Sequence, residues 1–158
     1  MLERGDIAAL ISPRPPSSFT KGTEKVKRLF ENYRDEEVEY YRKNRFFPIM
    51  HIIVIRRDVT DTHPWVAQSL YKAFCLAKEI CYRHLDEASA LHYSLPFLMS
   101  EVEATQRMVG NDFWPYGVEK NQKEIETFIR YALEQGVIEK TMSADDLFAE
   151  NTLSTYKV

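Results

Sequence analysis

Cysteine is nearly absent: the 158 residues include only Cys75 and Cys81. Six positions apart on one helical stretch, they are separated by about 600° of rotation and face different sides. That excludes a disulfide framework, and no Cys/His spacing of a zinc site occurs. Two free thiols fit a reducing cytoplasm, the compartment expected here. Glycine is scarce as well, and none of the five forms a phosphate-cradling loop. No basic block exists, and 21 Lys and Arg against 24 Asp and Glu leave a net charge of −3, so nucleic acid is a poor partner. No stretch approaches the ~18 apolar residues of a membrane span. The opening MLERGDIAALISPRPP carries acids where a signal peptide is basic, and its apolar run at 7–11 is too short. There is no HExxH pair and no paired-carboxylate spacing of a di-metal bundle. No metal site is expected.

What is present is an ordinary globular composition, 44% hydrophobic and 28% charged, enough for one domain with a real core. The longest apolar run is 49–55, interrupted only by His51. It does not alternate and is rich in β-branched residues, which predicts a strand buried on both faces. Arg56-Arg57-Asp58 ends it, one arginine pairing with Asp58. A turn follows, and His63-Pro64 opens a helix. Residues 7–11 predict a second, shorter buried strand. A strand so early, with nothing before it to pair, leads to the expectation that the chain is the C-terminal part of something longer.

Between the strands lies Ser12-Pro13-Arg14-Pro15-Pro16-Ser17-Ser18, a loop stiffened by three prolines. Loops past strand ends carry ligands in open α/β sheets, and a guanidinium fork suits a carboxylate. Arg14 reads equally as a surface arginine in a proline turn. Helical spacing predicts helices at 23–33 and 35–42, from 64 to about 85, from 94–96 to 110, and around 125–133. Gly136 is placed as the C′ residue of the last. Asn121-x-x-Glu124 resembles a capping box, Ser143 starts a short final helix, and the tail after Asn151 is expected to fray. Asn111-Asp112-Phe113-Trp114-Pro115-Tyr116-Gly117 predicts a rigid aromatic loop, either a pocket cap or a plug over the core.

The segments ALISPRPPSSF, FFPIMHIIVIRRD, HPWVAQSLYKAF, DFWPYGVEKNQKEIETFIRYALEQG and LFAENTL, taken in order, closely resemble the C-terminal half of 4,5-dihydroxyphthalate decarboxylases. FWPYG and PIMH are the more specific parts. The resemblance implies an α/β fold: the C-terminal half of a two-lobe type II periplasmic-binding-protein-like architecture, helix-rich with a few buried strands. Residues 1–46 would be the remainder of the second lobe, with a hinge loop at 12–18. Residues 47–158 would hold a crossover strand and the helices returning to the first lobe.

The activity implied is cofactor-independent decarboxylation of an aromatic dicarboxylate to protocatechuate. On that reading Arg14 holds the retained carboxylate, with Ser12 and Ser17 beside it. His51 is the acid/base candidate, because its intrinsic pKa lies near neutrality. Trp114 and Tyr116 stack on or bond the ring. His51 reads as readily as a core histidine satisfied by backbone groups. Two other functions fit: a solute-binding module for a small organic anion, and an inactive truncated fragment. The partners expected are a small aromatic carboxylate and either a second copy or a separately encoded N-terminal half.

Overall fold

Helical periodicity is what the chain realises. A computed structural model describes residues 1–154, and α-helices and single 3-10 turns are its only regular elements there. Contacts divide the chain into two units, Met1–Arg45 and the remainder from Phe46.

In the first unit Pro16 precedes a one-turn helix, α1 (Ser17–Thr20). The helix expected at 23–33 does not form. Its apolar residues find no cover: Leu29 is 89% exposed, and only Val26 is buried. A helix of that length depends on packing an apolar face. The next helix, α2 (Tyr33–Asn44), does form, with Asp35 and Glu36 in its first turn and Arg42 and Lys43 in its last. That charge order complements the helix dipole. Arg28 joins the segments, its guanidinium 5.3 Å from the centre of the Phe19 ring and 4.6 Å from that of Tyr33.

The second unit is built on α3 (Arg57–Thr62), α4 (Val66–Asp86), α5 (Leu98–Val109), α6 (Gln122–Glu134) and α7 (Ala144–Leu147). Arg56 pairs with Asp58 at the start of α3, a helix where the sequence suggested only a turn. The long α4 packs against α5. The rings of His84 and His92 stack at 3.8 Å, holding the connection after α4 against its last turn. The core centres on α6, where Ile125, Ile129 and Ala132 are buried at i, i+4, i+7 spacing. Val118 joins Ile125 and Ile129, and Ile138, Ala144, Phe148 and Leu153 pack around them. Gly136 ends α6 as expected. Its φ is +69°, its N–H bonds the Leu133 carbonyl at 3.1 Å, and the Val137 N–H bonds that of Ala132 at 2.8 Å. This is a Schellman closure. At the start of α7 the Asp146 carboxylate accepts both the N–H and the hydroxyl of Ser143, each at 2.8 Å. Of the tail expected to fray, residues 155–158 lie outside the described residues.

The α/β expectation is corrected. No strand occurs among the described residues, so neither the buried strands nor the sheet of a periplasmic-binding-protein-like half is present. Residues 7–11 end exposed, with Ile11 fully so. Residues 49–55 form no regular element and make no backbone–backbone hydrogen bond among the described residues, and Ile52, Ile53 and Val54 are 62%, 63% and 82% exposed. The physical reason is that a strand is not a local structure. It needs a neighbour for its hydrogen bonds and a layer on each face, and an apolar run supplies neither.

The α6 core gives a direct test. Ile129→Ala is expected to lower the unfolding free energy by about 2–4 kcal/mol in urea denaturation. A loss below about 0.5 kcal/mol would show that this cluster is not the core.

Candidate functional site

The most interlocked part of the described structure is the aromatic loop at 111–117 and the face of α4 behind it. Lys78 and Tyr82 lie four residues apart on α4, hence on one face. Lys78 is drawn under the loop, leaving its side chain only 13% exposed. Its Nζ donates to Asp112 Oδ1 at 2.6 Å and to the Trp114 carbonyl at 3.2 Å. It also lies 5.4 Å from the ring centre of Tyr82 and 5.0 Å from that of Tyr116. Lys120 donates to the other oxygen, Asp112 Oδ2, at 2.6 Å. Tyr82 accepts the Trp114 N–H at 2.8 Å, approaches Asp112 Oδ1 at 3.4 Å and stacks on Phe113 at 4.5 Å.

The far end of the loop is fastened by Asn121. Its side-chain amide donates to the carbonyls of Pro115 at 3.0 Å and Gly117 at 2.8 Å. The expected capping box is not made: α6 has no side-chain cap, and the Asn121 side chain is turned to the loop by its amide nitrogen. Gly117 has a φ of +99°, and a Cβ there would run into the Tyr71 hydroxyl, so glycine is required on both counts.

These surroundings set the protonation states. Burial raises the Asp112 carboxyl, but the Lys120 and Lys78 hydrogen bonds and charges outweigh it and hold it below the ordinary value. Burial, with Asp112 beside it, pushes the Tyr82 hydroxyl up to about 12. Burial alone lifts Glu124, in the first turn of α6, to about 7, so this carboxyl can hold or give a proton near neutrality. Among the described residues no group of three or more His, Cys, Asp or Glu side chains converges as a metal-ligand set.

The structure brings together Trp114 and Tyr116 of the residues named from sequence. Trp114 contributes its backbone to the cluster, and the residue is 45% exposed. Ser12, Arg14 and Ser17 lie in the first unit. There the Ser12 hydroxyl accepts the Arg14 N–H at 3.2 Å, and the Ser17 carbonyl accepts the Thr20 hydroxyl at 3.1 Å. His51 lies exposed on the irregular 49–55 run. Sequence reasoning missed Lys78, Tyr82, Lys120 and Glu124. The one available signal was the i, i+4 placement of Lys78 and Tyr82 on the helix preceding the aromatic loop.

Along its entire length the chain is 32% identical to the 4,5-dihydroxyphthalate decarboxylase of Comamonas testosteroni. The chain is a homologue of that decarboxylase. The family resemblance read from the sequence thus holds from end to end, while the chain spans about half of this decarboxylase's length, 48%. No family model matches. No helix among the described residues is long and apolar enough to cross a membrane.

Two pH effects follow. Asp112 has a lowered folded pKa, so its stabilisation is complete above the ordinary 3.8 and is lost as pH falls through the lower folded value. Asp112→Asn is expected to flatten the acid side of the stability profile; an unchanged acid limb in thermal melts would refute it. Glu124 has the opposite sign. With its folded value near 7 against an ordinary 4.5, stability declines as pH rises between the two. Glu124→Gln is expected to remove that decline and melt higher than the parent at pH 8, and an equal or lower melting temperature there would count against it.

Proposed function

We propose that the chain forms part of a carboxy-lyase that removes one carboxylate from a hydroxylated aromatic dicarboxylate, converting 4,5-dihydroxyphthalate to protocatechuate and carbon dioxide. The end-to-end match to a decarboxylase named for that substrate carries the reading. The chemistry needs no organic cofactor in principle. A ring hydroxyl para to the departing group pushes electron density onto the carbon that bears it. That carbon takes a proton, the C–C bond to the carboxylate breaks, and carbon dioxide leaves as aromaticity and the phenol are restored.

Such a reaction asks for a cation on the retained carboxylate, a proton donor and a surface for the ring. Arg14 and His51 remain the assignments for the first two. The loop cluster adds groups of the same kinds: Lys120, with its side chain 49% exposed, is a cation within reach of solvent. Trp114 offers an exposed indole, and Glu124 a carboxyl that is part-protonated near pH 7.

The assay is incubation of the purified chain with 4,5-dihydroxyphthalate while measuring carbon dioxide. Release is expected, falling about 100-fold or more in His51→Ala and sharply in Arg14→Ala. Unchanged release in both variants would remove those two assignments. A thermal shift without release would make the chain a binding module, and neither response would make it an inactive fragment.

A further inference from the structure

A cleft of about 240 Å³ opens where α4, α5 and the start of the aromatic loop meet, lined by Tyr82, Leu85, Asp86, Gln106, Asn111 and Phe113. We infer that this cleft binds a small organic ammonium ion, and that it is distinct from any place that holds an aromatic carboxylate.

Size and walls set the class of molecule. A cavity of ~150 Å³ already accepts one benzene ring, so this cleft takes a single ring with a short side chain. Leu85, Phe113 and the ring of Tyr82 give it apolar surface.

Charge decides the sign. Leu85 and Asp86 belong to the last turn of α4, with Tyr82 just before it, and Gln106 to the last turn of α5. Each helix end carries roughly half a negative charge, because its final carbonyls lack intrahelical donors. The Asp86 carboxylate adds a full one. No lysine or arginine lines the cleft. The cations bound to the neighbouring loop, Lys78 and Lys120, are both held by Asp112.

The hydrogen-bonding groups point the same way. Gln106 donates its amide to Asp86 Oδ1 at 3.2 Å. That bond consumes a donor and leaves acceptors: the side-chain oxygen of Gln106, the second Asp86 carboxylate oxygen and the side-chain oxygen of Asn111, none of which is hydrogen-bonded among the described residues. A primary ammonium has three donors and no acceptor, which matches this set. A carboxylate would meet Asp86 and two negative helix ends.

An NMR titration of the whole chain tests this. Phenethylammonium chloride is the probe, and 3-phenylpropionate is the anion of like shape. Saturable shifts of the Gln106 and Asn111 side-chain amides are expected with the amine, at millimolar half-saturation because Asp86 is open to solvent. Asp86→Asn keeps an acceptor for Gln106 and is expected to weaken binding about tenfold. Asn111→Ala, on an exposed loop position, is expected to weaken it about threefold. An equal response to 3-phenylpropionate, affinity unchanged in Asp86→Asn, or no saturable shift would each overturn the assignment. The decarboxylation assay does not bear on it, so the two readings fail separately.

Discussion

The Asp112 carboxylate, held between Lys78 and Lys120, is the interaction on which the aromatic loop and the face of α4 behind it depend. It resolves a problem that α4 creates. Lys78 is nearly buried, and a buried ammonium is costly unless paired and hydrogen-bonded. One carboxylate oxygen, one backbone carbonyl and two aromatic rings surround it. Because Asp112 keeps 35% of its side chain exposed, the pair lies between surface and interior. Removing its charge costs on the order of 1–3 kcal/mol, below the figure for a fully buried pair. The gain is geometric as well. Lys78 and Tyr82 take the carbonyl and the N–H of Trp114, so the loop backbone is fixed on both sides of the indole.

That fixing gives the aromatic loop its chemical character. Proline alone would stiffen it, but stiffness does not say where its rings lie. The α4 bonds and the Asn121 clamp do, and they leave the indole open to solvent while the Tyr116 ring stands against Lys78. Aromatic surface beside a net positive charge suits an anionic ring. The Tyr82–Phe113 stack also borders the cleft at the ends of α4 and α5, where the potential is negative. One pair of rings therefore separates two environments of opposite sign.

How much of this was legible in the sequence follows from the range of each interaction. Helices α2, α4, α5 and α6 were readable because their spacing is local, and Gly136 and Ser143 were readable because helix ends are too. The aromatic loop stood out by composition. Its anchor did not, because Lys78 and Asp112 are 34 positions apart. Nothing at position 78 distinguishes a lysine that turns under a loop from one on a solvated face. Asn121 shows a subtler failure. The residue type and position were right for a cap, but two loop carbonyls orient the side chain through its amide nitrogen, and its oxygen caps no N–H of the helix.

Residues 49–55 show the limit from the other side. Apolar content on both faces states a need for cover without naming what provides it, and no local rule supplies the neighbour. The consequence reaches His51. An acid/base group works when its proton is directed by a hydrogen bond and water is kept from the reacting carbon. An imidazole on an exposed, unpaired segment has neither condition met by its own surroundings. Trp114 and Tyr116 differ in kind: bonds to their peptide groups fix where they stand before any ligand arrives. Of the residues picked out by chemistry, those two also have geometry.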